Sequence, residues 1–463
     1  MNELYKILNI PETEPISKVI ELLKQGKDKT EVFDEARKQL DPKQHAIMDI
    51  PLRKAKLAKK DKSKDLNAIG IAYQKLIVKK EKAFIFGNQP KLNANPVTEE
   101  EKKVLQVIER ILHDIKEPSF NRKVADAVGS FTEGGETWYF KESETHNTYG
   151  FPTTLRVKAM NLTPKDGDLF YTYKDSKGDL LAFSRNYSLK ENGKDVQYFE
   201  TATENNIYLF RLDKGWELTE NGLIKNLIGK IPSIFTEQDF TAWYDVQWMI
   251  ERLETLLSNH AEVNDRNAYP ILAIYGDIST QVERGPGGAV KLKNGGKLEY
   301  VSWDNATASV KLEIENLIKY IQMITQTPNI SFEEVKSLGA LSGTALKMLF
   351  LDAHLKVMDK REIYDEYLQR RINLLKKIVG IMNPKLKSAA ENLIIEPEII
   401  PFMVENEKEQ VEIALLKNGG KPLESHEKSV LNYQGQDSED FEKILKEEKE
   451  SNAVEYFNPT SVE

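Results

Sequence analysis

The 463-residue chain has no cysteine. Disulfides, thiolate metal sites and cysteine nucleophiles are thereby excluded together, and a reducing compartment is favoured. Histidine is scarce. The six (His45, His113, His146, His260, His354 and His426) show no H-x-x-x-H or similar spacing, so a zinc site has no support. No run of about 18 apolar residues occurs, and no membrane span is expected. The opening MNELYKILNIPETEP carries acids and a proline where a signal peptide needs an apolar run. Positive charge is also in deficit. Lys and Arg number 65 against 73 Asp and Glu, a formal charge of −8. Such a chain is not organised around one large nucleic-acid-neutralising face, although local basic patches remain open to it. What is present is globular in character, with 30% charged and 40% hydrophobic residues. The length has room for two to four structural units at roughly 100–200 residues each.

The first stretch, to about Pro90, reads helical, with apolar residues at helical spacing in Ile16–Leu23 and Val32–Leu40. A basic segment follows. Arg53 to Lys82 holds eleven Lys and Arg against three acids, a local balance of +8. It reads as a solvated helix face or as contact with an acidic partner or nucleic acid. Thr98–Glu101 spells a capping box for a helix through Val104, Val107, Ile108, Ile111, Leu112 and Ile115. From about Trp138 to Ile234 the period shortens. β-branched and aromatic residues cluster or alternate between Asp-Gly, Lys-Gly-Asp, Glu-Asn-Gly and Asp-Lys-Gly turns, which predicts a hairpin-rich antiparallel sheet.

Long helices come next. Thr236, three residues before Asp239, is the expected cap of a helix carrying Trp243, Val246, Ile250, Leu253 and Leu257 to about Arg266. A small β unit follows, PILAIYG, then GPGG, then AVKLK-NGG-KLEYVSW as a hairpin around Asn294-Gly295-Gly296. A second helix repeats the seam with Val310, Ile314, Leu317, Ile321 and Ile324 and ends at Thr327-Pro328. After an interruption, one helix is expected from Ser342 to Met382, seamed by Leu346, Leu349, Ala353, Val357, Tyr364, Tyr367, Arg371, Leu375 and Ile378. The tail holds a strand-like segment, Asn392–Val404, then helices at Glu407–Lys417 and Glu439–Glu450. Gly435 to Glu463 has nine acids and three lysines and reads as a mobile, solvated terminus.

No catalytic constellation emerges. GPGGAVK (Gly285–Lys291) leads into a strand, whereas a phosphate loop needs Gly-Lys-Ser/Thr opening a helix. Glu313 and Glu315 differ by two positions and do not share a helix face, and they and Glu333/Glu334 read as exposed decoration rather than a magnesium site. G-x-S-x-G is absent. The order helix, β unit, helix forms an out-and-back stalk whose apolar seams need copies of the same chain to cover them, which predicts a closed ring. In a ring, one residue facing the bore is repeated by every subunit, so even an acidic chain can present a charged collar.

An ordered series of segments carries a resemblance. It comprises NAIGIAYQKLIVKKEKAFIFGNQP (Asn67–Pro90), FSRNY (Phe183–Tyr187), GKIPSIF (Gly229–Phe235), IERLETLLSNHAEVND with AYPILAIYG (Ile250–Gly276), SGTALKMLF (Ser342–Phe350), NLIIEPEIIPF (Asn392–Phe402) and LLKNGG (Leu415–Gly420). Together they resemble the portal proteins of tailed double-stranded DNA bacteriophages, in the siphophage branch. The likeness spans about Asn67 to Lys449. It departs at the first stem helix, which has Gln238-Asp239 in place of a Ser-Asp pair, and at the GPGG insertion.

The resemblance implies an α+β fold. Its parts would be an N-terminal helical, basic segment (1–97), a β-rich wing (98–235), stem helix 1 (236–266), a clip (267–308), stem helix 2 (309–326), a tunnel loop (327–341), a long wing helix (342–382), a wing connection and strand (383–404), and a crown with an acidic tail (405–463). It implies a non-enzymatic ring of twelve subunits at one capsid vertex, with host cytoplasm as the place of assembly. Expected partners are double-stranded DNA met without sequence preference, the terminase, a head-completion or adaptor protein, and the major capsid and scaffolding proteins. No cofactor, metal or membrane is expected. Ser331, Glu333, Glu334, Lys336 and Ser337 are the candidate channel residues, and Arg284, Lys291, Lys293 and Lys297 the candidate docking residues of the clip. Lys336 is the only basic residue from Thr327 to Leu341, so twelve copies would place a lysine collar near the phosphates, unless it pairs locally with Glu333 or Glu334. Three alternatives stay open: another head–tail or secretion ring, a DNA-processing enzyme, and a helical scaffold of the host.

Overall fold

A computed structural model of the chain describes residues 1–26, 29–56, 66–267, 271–275, 297–301, 307–329, 348, 350–402, 407–418, 425–432 and 441–449. Contacts divide it into two units, Met1–Asn329 with Leu351–Phe402, and Ile330–Phe350 with Met403–Glu463.

In the first unit the N-terminal periodicity is realised as α1 (Asn2–Leu8), α2 (Ile16–Lys24), α3 (Thr30–Leu40), α4 (Ile50–Lys56) and α5 (Tyr73–Phe86). Thr98 caps α6 (Glu99–Asp114), its hydroxyl accepting from the Glu101 amide while the Glu101 carboxylate accepts from the Thr98 amide. A further helix, α7 (Glu117–Phe131), precedes the sheets. The hairpin-rich region folds as two antiparallel sheets. One has the order β3 (Thr153–Leu162), β2 (Glu133–His146), β9 (Ser233–Glu237). The other is a meander of β4 (Leu169–Lys174), β5 (Leu180–Glu191), β6 (Lys194–Ala202), β7 (Asn206–Leu212) and β8 (Trp216–Lys225).

Strand alternation decides what covers each face of the meander. Tyr171, Ala182, Phe199, Tyr208 and Phe210 face one way and bury Leu4, Leu8, Val19, Ile20 and Leu23 of α1 and α2. Phe170 and Phe183 face the other way and meet Leu162 and Phe235 of the three-stranded sheet. Gly134 and Gly135 permit the close approach around β2. A Cβ on Gly135 would stand 2.3 Å from the Ile234 carbonyl oxygen, and one on Gly134 would stand 2.9 Å from the Ala127 Cβ of α7.

Thr236 does not cap a helix. It lies in β9 opposite Gly134, and the chain then hugs the end of α7, with the Gln238 amide donating to the Thr132 carbonyl and the Ala242 amide to that of Gly129. These bonds hold 238–242 in bends and a turn rather than a helix, and α8 (Gln247–Asn267) begins only after a turn of 3-10 helix at Tyr244–Val246. Strand β10 (Ile271–Tyr275) pairs antiparallel with β11 (Lys297–Val301), and α9 (Thr307–Thr325) returns along α8. The turn expected at Asn294-Gly295-Gly296 lies outside the described residues. The seam between the helices is Met249, Ile250, Leu253 and Leu256 against Leu317 and Ile321.

The long helix α10 (Leu351–Met382) has 32 residues, about 48 Å at ~1.5 Å each. It follows a turn at Phe350; the expected start at Ser342, with residues 342–347 and 349, lies outside the described residues. Ala353, Val357, Tyr364, Tyr367, Arg371, Leu375 and Ile378 are buried as the spacing predicts. A short α11 (Lys387–Asn392) leads to β12 (Ile395–Glu398), which pairs with β1 (Lys91–Ala94). The strand expected across Asn392–Val404 is thus four residues long. The second unit shows helices Glu407–Asn418 and His426–Asn432 and helical residues 441–449.

Candidate functional site

Helix α9 delivers the chain to the expected channel loop, and its end is held by two lysines from elsewhere. Gln326 turns left-handed (φ 52°) and closes the helix. Lys356 of α10 donates to the Thr325 carbonyl at 3.0 Å and meets Glu81 of α5 at 2.9 Å. Lys80 donates to the Pro328 carbonyl at 2.8 Å and to that of Thr327 at 3.4 Å. Burial pulls the Lys80 ammonium below its ordinary range. A helix C-terminus exposes unpaired carbonyls and partial negative charge, so both ammonium groups sit where field and lone pairs favour them. The Thr325 hydroxyl bonds that of Thr327 at 2.8 Å and donates to the Ile321 carbonyl at 2.7 Å. The root of the loop is therefore tied to α5 and α10.

Further along α10, one buried ion network fixes the helix to the sheet. Arg371, 1% exposed, donates to Glu136 at 2.6 and 2.9 Å, to Asn121 at 2.6 Å and to Glu117 at 3.2 Å. The Tyr367 hydroxyl donates to Glu136 at 2.5 Å and the Trp138 indole donates to it at 2.8 Å. Burial alone would weaken the Arg371 cation, but Glu136, Tyr367 and Glu117 outweigh it and hold the proton more tightly than usual. The Glu117 carboxyl is also raised above its ordinary value, because its desolvation exceeds the help its charged form gets from Arg371.

A third arrangement runs along α8. Glu254, Ser258, Glu262 and Asp265 recur at helical spacing and so share a face. The Glu254 carboxylate bonds His45 at 2.5 Å and the Ile71 amide at 2.8 Å. The Ser258 hydroxyl accepts from the Ile69 amide at 3.0 Å, Arg53 reaches Glu262 at 3.4 Å, and Asn67 donates to Asp265 at 2.6 Å. The segment before α5 is thus a strap on this helix, anchored through its own backbone amides.

Most of the sequence-derived site residues are not among the described ones. Ser331, Glu333, Glu334, Lys336 and Ser337 lie outside the described residues, as do Arg284, Lys291 and Lys293. Lys297 opens β11 opposite Tyr275 and is exposed. Glu313 pairs with Arg252 (2.8 Å) and Glu315 with Lys311 (3.7 Å). Among the described residues no group of three His, Asp or Glu could hold a metal, and no helix is long and apolar enough to cross a membrane. Sequence reasoning missed Lys80, Lys356 and the strap. One signal was available for the ion network: an arginine in an apolar seam, Arg371, requires a buried carboxylate.

The family model described as "Phage portal protein, SPP1 Gp6-like" matches residues 18–453. No curated protein matches the chain. Among solved structures, a chain of the virion of a native gene transfer agent particle is similar at 11% identity, covering 93% of this chain and 98% of that one, with a TM-score of 0.37. A chain from the neck of the empty particle is similar at 10% identity over 88% of this chain and 93% of that one, TM-score 0.40.

Proposed function

The chain belongs to the SPP1 Gp6-like phage portal protein family, and from that premise we propose that it closes into a ring of twelve subunits at one capsid vertex, through which double-stranded DNA is packaged and later released. The observation that carries the ring is the outward face of the α8/α9 pair. While its inner seam is buried, Trp248, Leu312, Tyr320 and Met323 are 46–61% exposed. Leu312, Tyr320 and Met323 fall on one side of α9 by spacing. A neighbouring copy would cover them with a different patch of its own surface, the heterologous contact through which a cyclic ring closes.

In that ring the β10/β11 unit, carrying Arg284, Lys291, Lys293 and Lys297, would be the docking face for the terminase and later for the adaptor protein. Thr327–Leu341 would face the bore, with Lys336 repeated as a collar. Contact with phosphates alone is sequence-independent, and acidic neighbours keep it weak enough for DNA to slide. The function is structural, exercised in the virion after assembly in host cytoplasm with the major capsid and scaffolding proteins. End-on electron microscopy of the purified protein tests the ring: closed particles with twelvefold symmetry and a central hole support it, and a stable smaller oligomer without a bore overturns it. The Lys336→Glu variant tests the collar. Intact rings with altered DNA packaging or retention are expected, and an unchanged virion yield refutes the role.

A further inference from the structure

Where α10 ends, a cavity of about 510 Å³ opens between the turn before β9, the last turns of α10 and the start of α11. Its rim carries Lys230, Lys376, Lys377 and Lys387, and Glu391 is the only acid in its lining. Lys376 is already used, donating to the Leu393 carbonyl at 2.6 Å and the Glu391 carbonyl at 3.4 Å. Lys230, Lys377 and Lys387 have no ion-pair partner among the described residues. Burial, and then the neighbouring Lys230 ammonium, hold Lys376 below its ordinary pKa. The helix dipole does not account for the cluster. A C-terminus offers about half a negative charge, and only within its last turn, which cannot offset four ammonium groups. Lys230 and Lys387 are not even on α10.

The cavity is also partly apolar. Gly380, Ile381, Pro384 and Ala390 line it. Three positions in sequence from the lining residues Lys230 and Glu391, Leu227 and Ile394 are 58% and 72% exposed. A larger neighbouring cavity, of about 830 Å³, shares Lys230 and Asn373 but mixes acids with bases, so the positive character belongs to the smaller one.

We infer that this lysine-rimmed cavity is a docking site for an acidic, partly apolar protein segment of a partner, which inserts carboxylates between Lys230, Lys377 and Lys387 and an apolar side chain against Ile381 and Pro384. Charge complementarity identifies the occupant: three lysines without acids of their own are completed by carboxylates. Nucleic acid fits less well. A duplex is tracked by solvated cations along a groove, whereas here the cations border a cavity of about 510 Å³ whose lining includes Ile381, Pro384 and Ala390. The inference does not depend on the ring.

The test uses the full chain and two probes, a short fluorescein-labelled peptide of repeated Glu-Glu-Leu and a labelled DNA duplex, read by fluorescence anisotropy. The peptide is expected to bind, to weaken as salt shortens the screening length from ~10 Å at 0.1 M to ~3 Å at 1 M, and to lose about tenfold or more in affinity in the K230E/K377E/K387E variant. The neutral K230Q/K377Q/K387Q variant, with thermal unfolding of each protein, separates loss of charge from loss of fold. Absence of peptide binding, or equal binding by wild type and both variants, overturns the inference. So does a duplex that binds through these lysines when the peptide does not, which would make the site a phosphate contact.

Discussion

Two parts of the molecule handle exposure and charge in opposite ways. Around Arg371, charged side chains are fully buried and answer one another: Arg371, Glu136 and Glu117 are 0–2% exposed, with Tyr367, Asn121 and Trp138 filling the remaining valences. In the α8/α9 pair the inner seam is apolar and buried, yet Trp248, Leu312 and Met323 stand in solvent. The first region is completed within one chain. The second leaves apolar area uncovered, which the proposed ring would bury. The two arrangements are expected to break differently.

The largest effect on folding is expected at Arg371. Arg371→Met leaves Glu136 and Glu117 without their buried cation, which costs about 3–5 kcal/mol. Urea unfolding should show a lower midpoint with an unchanged slope. A loss under about 1 kcal/mol, the value of an exposed pair, would mean that the network does not fasten α10 to β2.

Next comes the clasp on α9. Lys356→Met strips Glu81 of its ion pair and the Thr325 carbonyl of a donor, and about 2–3 kcal/mol is expected. Adding Glu81→Gln should recover part of that loss, because the uncompensated charge is gone. Full additivity of the two substitutions would show that they do not share a pair.

Glu133 sharpens the contrast within one strand. Three residues before Glu136 it is equally buried, but its cation, Lys29, is partly exposed and Glu237 repels it. Burial pushes its carboxyl from 4.5 to about 7. Below 4.5 both folded and unfolded chains hold the proton. Between 4.5 and 7 the unfolded chain releases it while the folded chain retains it, so stability falls as pH rises, by about 3 kcal/mol in all. Glu133→Gln should flatten that part of the profile. An unchanged profile would assign the slope to other groups.

These regions differ as much in legibility. The capping box at Thr98, the seam of α10 and the hairpin turns were readable because each depends on neighbours in sequence. The start of α8 was not. Thr236 and Asp239 have the right spacing for a cap, but pairing with Gly134 and the bonds from Gln238 to α7 override it. The strap was invisible for a related reason: Glu254, Ser258, Glu262 and Asp265 look like a solvated stripe, and their partners Ile69 and Ile71 contribute backbone amides, which no side-chain pattern records. Lys80 and Lys356 were hidden among ordinary surface lysines, since what sets them apart is a helix end hundreds of residues from one of them. Family membership was legible because an ordered series of weak segments narrows the choice more than any one motif.

The smallest effect on the folded chain is expected on the outward face of α9, and it is the one that bears on assembly. Leu312→Asp with Met323→Asp replaces side chains 59% and 55% exposed, so little burial is lost and monomer stability should move by no more than about 0.5 kcal/mol. The same substitutions place two carboxylates per subunit into every contact of a closed ring, where an unpaired desolvated charge costs several kcal/mol. The sedimentation coefficient should fall from that of a ring to that of a single chain while thermal unfolding of the monomer stays unchanged. Rings that survive the double substitution would move the contact to another face, with Leu351, Leu355 and Met358 of α10 the next to test. Unfolding of the monomer would instead show that the apolar face belongs to the fold of one chain, and the distinction between the two regions would be lost.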